Sequence, residues 1–170
     1  MKRLFSAVCG VALCAAPVLA FAAAPAPMTD QQFVNFAAQT DMVEANLGQR
    51  AQDVAASQQV KDYGQMLVTD HTKDFGALHE AAQKAGLTVP DAIDSEHNEK
   101  MIDPFQKLTG KAFDHKYAME MVAGHTKALE LYKKEEADAQ NPAIKSYAED
   151  AIPVLEKHLR DAKDLEKGGK

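Results

Sequence analysis

A chain of 170 residues, 46% hydrophobic and 26% charged, holds enough apolar material for one globular domain, which excludes wholesale disorder. Nine Gly and seven Pro are too few for a fibrous or low-complexity chain. A net charge of −6 argues against a nucleic acid partner, since phosphate binding rests on clustered Lys and Arg.

The first residues read as an address. Lys2 and Arg3 form a short positive region, an apolar run follows from Leu4 to Leu19, and small residues gather at Ala20-Phe21-Ala22. This is the three-part pattern of a secretory signal peptide. The run falls short of the ~20 residues that a spanning helix needs, so an uncleaved anchor is the weaker alternative. The pattern predicts cleavage after Ala22, with Ala20 as the second choice. Leu13 before Cys14 and Val8 before Cys9 are too large for a lipoprotein signal. Cleavage removes both cysteines, so disulfides, thiolate nucleophiles and Cys-ligated metals are excluded from the mature chain. The expected organisation is a signal peptide over 1–22, a linker over 23–28, a bundle over 29–166 and a solvated tail over 167–170. The chain is expected to have no transmembrane segment once the signal is gone.

Four stretches of helical periodicity follow. The first carries Phe33, Ala37, Thr40, Glu44, Leu47, Ala51 and Val54. The second carries Val60, Gly64, Leu67, His71, Asp74, Leu78 and Ala82. The third carries Ala118, Met121, His125, Ala128 and Tyr132, and the fourth Ile144, Ala148, Ala151, Leu155, His158, Ala162 and Leu165. Steps of three and four residues put each set on one helix face, and no segment alternates like a strand. Thr29-Asp30 caps the first helix, Ser57-Gln58 breaks the first from the second, Gly86 and Pro90 end the second, and Asn141-Pro142 separates the last two. The first and last pairs are therefore tight antiparallel hairpins. The second and third helices are joined by the long stretch from Gly86 to Gly110, with a short amphipathic piece (Ile93, His97, Met101, Phe105, Leu108). Asp30-x-x-Phe33 matches Asp114-x-x-Tyr117, and Val60-Lys61-x-Tyr63-Gly64 matches Ile144-Lys145-x-Tyr147-Ala148, at one constant separation. Two similar hairpins joined by a crossover make a ferritin-like four-helix bundle, all-α.

Each seam carries one residue foreign to hydrocarbon: Glu44, His71, His125 and His158. The midpoint between Glu44 and His71 falls at Ser57-Gln58, and that between His125 and His158 at Asn141-Pro142, so each pair is level across its hairpin. With the turns at opposite ends of a crossover bundle, all four can share one layer, ~45 Å separating the turns at ~1.5 Å per residue. Three imidazoles and a carboxylate in a bundle core suit a single transition-metal ion, Zn, Fe, Mn or Cu. The competing reading is a hydrogen-bonded polar layer in which Glu44 partners the histidines and sets helix packing without metal. His79, His97 and His115 fall off the seams and read as surface residues.

Weaker candidates surround these. Asp41 and Asp74 match His125 and His158 in the repeat and form either a second carboxylate layer or supporting acids. Met121, one turn before His125, suits Cu(I) but is expected as core. Pro153 cannot donate to the Glu149 carbonyl and is expected to bend the fourth helix before His158. Tyr63, Tyr117 and Tyr147 are expected to pack.

These residues resemble a bacterial family known as domain of unknown function 4142. The resemblance runs through Phe33-Val34, Met42-Val43-Glu44-x-x-Leu47-Gly48, Val60-Lys61-x-Tyr63, Leu67-Val68-x-Asp70-His71-Thr72-Lys73, Gly110-x-x-Phe113-Asp114-x-x-Tyr117, Met121-Val122-x-x-His125 and Ile152-Pro153-x-Leu155-x-x-His158-Leu159. It implies a ferritin-like bundle, exported to the periplasm or held at the outer membrane, with no established activity. It implies that the family's recurring Glu and three His are Glu44, His71, His125 and His158. Gly124 departs from it, standing where the family often has Asp, which removes an acid that would support His125. Ferritin-type di-iron enzymes carry Glu three residues before the metal His; here those positions are Val68, Val122 and Leu155. A di-iron oxidase is thereby excluded, and four protein ligands favour binding over catalysis. The sequence names no protein partner. The function expected is metal handling or envelope stress protection, and its rival a structural or interaction bundle.

Overall fold

The computed structural model describes residues 28–168; the predicted signal peptide and its cleavage site lie outside the described residues. Every regular element among them is helical: α1 (Asp30–Val54), α2 (Gln58–Ala85), a short turn α3 (Ser95–His97), α4 (Gly110–Asp138) and α5 (Pro142–Gly168). The amphipathic piece of the connection is α3, continued by a π-helical turn over Asn98–Ile102 and a 3-10 turn over Asp103–Phe105. No helix among the described residues is long and apolar enough to cross a membrane.

The ends have the causes the sequence indicated. Thr29 and Gln32 form a reciprocal cap: the Gln32 N–H donates to Thr29 Oγ1 at 3.3 Å and the Thr29 N–H to Gln32 Oε1 at 2.9 Å. Gly86 adopts φ 71°, and the next N–H, of Leu87, returns to the Ala82 carbonyl at 2.9 Å to close α2. Pro142 opens α5 behind Asn141, whose Oδ1 accepts from the Ala143 N–H at 2.9 Å. α5 continues through Pro153 to Gly168.

Helix directions follow from two apolar clusters. The start of α1, the end of α2, the end of α4 and the start of α5 share one, with Phe33, Leu78, Tyr132 and Ile144. The opposite ends share the other, with Leu47, Val60, Phe113 and Ala162. α1 and α2 are therefore antiparallel, as are α4 and α5, while α2 and α4 run the same way. The Gly86–Thr109 connection must return the chain along the whole bundle, and polar side chains of α1 hold it there. Gln31 Nε2 donates to the Thr88 carbonyl at 2.7 Å, Gln39 Nε2 to that of Ala92 at 3.0 Å, and Arg50 Nη2 to that of Gln106 at 2.6 Å.

The internal match between hairpins has a structural counterpart. The Asp30 carboxylate accepts the N–H groups of Gln140 and Asn141 at 2.9 and 2.7 Å, fastening the α4–α5 turn to the start of α1. The Asp114 carboxylate accepts those of Ala56 and Ser57 at 3.1 and 2.9 Å, fastening the α1–α2 turn to the start of α4. Each hairpin clamps the turn of the other through the same acid of the repeat. Within the first hairpin the backbones touch. A Cβ on Gly48 would lie 2.6 Å from the Gly64 carbonyl oxygen, and one on Gly64 would lie 2.7 Å from that of Gly48.

Candidate metal centre

The two apolar clusters do not meet. On α1 the break falls between Ala38 and Val43, on α2 between Leu67 and Leu78, on α4 between Met121 and Ala128, and on α5 between Leu155 and Ala162. Asp41, His71, His125 and His158 occupy that break and Glu44 borders it beside Val43, all buried. The residues that the seams single out are thus one layer across the bundle.

The histidines come closest. One ring nitrogen from each of His71, His125 and His158 lies within 4.8 Å of the others. The ring centroids stand 5.3 Å apart for His71 and His158, 5.2 Å for His125 and His158, and 6.0 Å for His71 and His125. Each ring has one nitrogen engaged outwards. His71 Nδ1 meets Asp41 Oδ1 at 2.8 Å, His125 Nδ1 meets the Met121 carbonyl at 2.9 Å, and His158 Nε2 meets Asp70 Oδ2 at 2.9 Å. All three partners accept, so in the neutral ring each engaged nitrogen carries the proton and the other carries the lone pair. Those other nitrogens, His71 Nε2, His125 Nε2 and His158 Nδ1, are buried without a hydrogen-bond partner.

Charge follows burial. Burial pushes His125 down to about 3 and His158 down to about 4, so both are neutral at neutral pH with their lone pairs free. At His71 burial also acts downwards, but the Asp41 hydrogen bond and the charges of Asp41, Glu44 and Asp74 outweigh it and raise the ring. Burial raises Asp41 as well, against the lowering effect of the His71 hydrogen bond and charge.

Glu44 lies in the layer but outside the compact set of ligand atoms. Its Oε2 is buried and unpartnered, and its Oε1 lies 3.4 Å from where a Cβ on Gly124 would stand. Burial raises its carboxyl to about 7, opposed by the nearby His71. An acid at Gly124 would face Glu44 rather than the engaged side of His125, which takes its orientation from the Met121 carbonyl instead. Asp41 is a supporting acid to His71. Asp74 accepts from the Tyr147 hydroxyl at 2.5 Å, and Tyr147 in turn meets Tyr132 at 3.1 Å between hydroxyls. Tyr63 donates to the His158 carbonyl at 3.2 Å, and the buried Tyr117 hydroxyl has no partner. His79 and His115 are exposed and His97 half-buried, as their positions off the seams predict.

Asp70 is the residue that sequence reasoning missed as a site residue. It adjoins His71 on α2, just off the seam, and its partner is on α5. The adjacent Asp-His pair was its one available signal, because periodicity ranks residues by the face they share with their own helix.

The donor set fits a cation. In a tetrahedral site with ~2.1 Å metal–nitrogen bonds the nitrogens stand ~3.4 Å apart, so closure asks for ~1.4 Å of movement at most from the observed spread. Ring nitrogens oriented by acids and a carbonyl are the usual support of imidazole ligation. The nearby carboxylates supply charge that a buried dication requires.

No curated protein and no solved structure matches this chain. One family model does, described as domain of unknown function (DUF4142), over residues 16–165. That span takes in α1, α2 and α4 whole, α5 as far as Leu165, and every residue of the buried layer, so the chain belongs to the DUF4142 family.

Proposed function

We propose that this protein is an exported bundle of ferritin-like topology that binds one transition-metal ion at His71, His125 and His158, with Glu44 as the anionic partner of the ion. Its role is metal handling or envelope stress protection. The observation that carries the reading is the pattern of the ring nitrogens: each outer one is bonded to an acceptor, and each inner one is buried and bare. A polar layer that served packing alone would satisfy those nitrogens, because an unpaired buried polar atom costs about 1–3 kcal/mol. The parallel run of α2 and α4 joined by a bundle-length connection supports the ferritin-like topology. The signal pattern at Lys2 to Ala22 supports export. Val68, Val122 and Leu155, where a di-iron enzyme has Glu, favour a single ion and no ferritin-type oxidase chemistry.

The test is the metal content of protein purified without an affinity tag, stripped, and offered Zn, Fe, Mn and Cu in turn. The expected result is close to one ion per chain, lost in His125→Ala and weakened in Glu44→Gln. If the wild-type protein takes up no ion, the layer sets helix packing and the reading is wrong.

A further inference from the structure

Two narrow cavities approach the buried layer from different sides. One, about 10 Å³, lies in the groove between α2 and α5 and is lined by Asp70, His71, Asp74, Val154, Leu155 and His158. The other, about 20 Å³, lies under the connection; it reaches Glu44 and has Lys100, Met101, Lys116 and Glu120 in its wall. The first touches two of the three histidines, each with a buried, unpartnered ring nitrogen. The second touches none of them.

Their charges differ in the same sense. The charged residues of the α2–α5 cavity are Asp70 and Asp74, one turn apart on one face of α2, an arrangement that like-charge repulsion disfavours in a helix. Each has one oxygen engaged inwards, Asp70 Oδ2 with His158 and Asp74 Oδ2 with Tyr147. Under the connection Lys100 and Lys116 stand against Glu44 and Glu120, with Lys116 paired to Glu120 at 2.9 Å, so that wall lacks the single sign of charge that would gather a cation. Val154 lines the α2–α5 cavity one turn before His158, and this aliphatic side chain is 42% exposed.

We propose that a divalent transition-metal cation reaches the histidines through the α2–α5 groove, held first by the carboxylates of Asp70 and Asp74 and then passed beneath Val154 to His71 and His158. The route rests on the metal-binding reading above. A cleft lined by one sign of charge concentrates the opposite ion and speeds its arrival. Asp70, which orients the His158 ring, thus also collects the ion.

The test is the rate of Co²⁺ uptake and release by the full metal-free protein, read from the absorbance of the bound ion. Val154→Trp is expected to slow both rates and Val154→Ala to speed both, with the equilibrium affinity unchanged in each, because a route alters the barrier and not the end states. Wild-type uptake is expected to slow by about tenfold from low to high ionic strength, and Asp74→Asn to flatten that dependence. Met101→Trp, in the other cavity, is expected to leave the rates alone. Unchanged rates in both Val154 variants, or slowing in Met101→Trp alone, overturn the route while the metal reading stands. No binding by the wild type at equilibrium overturns the metal reading and the route with it. Circular dichroism checks each fold, and Val154→Ala decides if the Trp variant does not fold.

Discussion

Two of the three rings take their orientation from other helices: His71 on α2 from Asp41 on α1, and His158 on α5 from Asp70 on α2. His125 takes its own from the Met121 carbonyl, one turn earlier in α4. Asp70→Asn should therefore cost about 10–100-fold in metal affinity without removing a ligand, by titration against a competing chelator. Glu44 carries a different prediction. Its folded carboxyl is raised from 4.5 to about 7 by burial, so between those values the unfolded chain releases a proton that the folded one keeps. That contribution is fully present below the unfolded value and is lost as pH rises through the folded one. Glu44→Gln should then stabilise the metal-free protein by nothing at low pH and by about 3 kcal/mol above neutrality. Denaturant melts in a chelator at both extremes check this. Bound cation should reverse the sign, because it returns Glu44 to its ionised form.

The hairpins are held by features with no chemistry of their own. Gly48 and Gly64 let α1 and α2 approach backbone to backbone, and a Cβ on Gly64 would also lie 2.8 Å from that of Ala51. None of those atoms can swing aside as the end of a long side chain would. Gly64→Ala should destabilise the protein by about 1–3 kcal/mol through overpacking, measured by denaturant melts. The clamps at Asp30 and Asp114 act at the other scale of the element, its ends. Each satisfies two N–H groups of a turn in the opposite hairpin, so the register between hairpins is set at both ends of the bundle. The histidine layer sits between those two anchors.

Seen whole, the bundle is two apolar cores separated by a polar layer to which α1, α2, α4 and α5 all contribute. An ion bound there ties three of the four helices directly and the fourth through Asp41 and Glu44. It should therefore stabilise the fold as one unit: about 4 kcal/mol at a thousandfold excess of free ion over Kd. Thermal unfolding with and without chelator measures this as a single shifted transition, absent in His125→Ala. The acid limb belongs to the same layer. His125 and His158, held near 3 and 4, contribute stability that is present above the unfolded histidine value and lost as pH falls through the folded ones.

The four long helices, the ends at Thr29, Gly86 and Asn141-Pro142, the two hairpins and the layer of Glu44, His71, His125 and His158 were readable from residue order. Helical periodicity and turn residues are local, and equal distance from a tight turn puts two residues at one height whatever the rest of the chain does. The same locality hid the rest. Asp70 lies just off the seam of its own helix, and its partner is on another helix, so only packing of α2 against α5 pairs it with His158. Periodicity put Glu44 and the histidines on an equal footing. Which of them close into one set depends on side-chain direction across the bundle, and that gathers the three rings and leaves Glu44 beside Gly124. The reciprocal clamps of Asp30 and Asp114 were visible as a repeat without a purpose. Their purpose depends on the crossing of the connection, which brings each acid to the far turn. Residue order determined what each helix offers to the core; only the tertiary arrangement decided which offers meet, because a contact between helices is set by crossing and rotation that no single helix encodes.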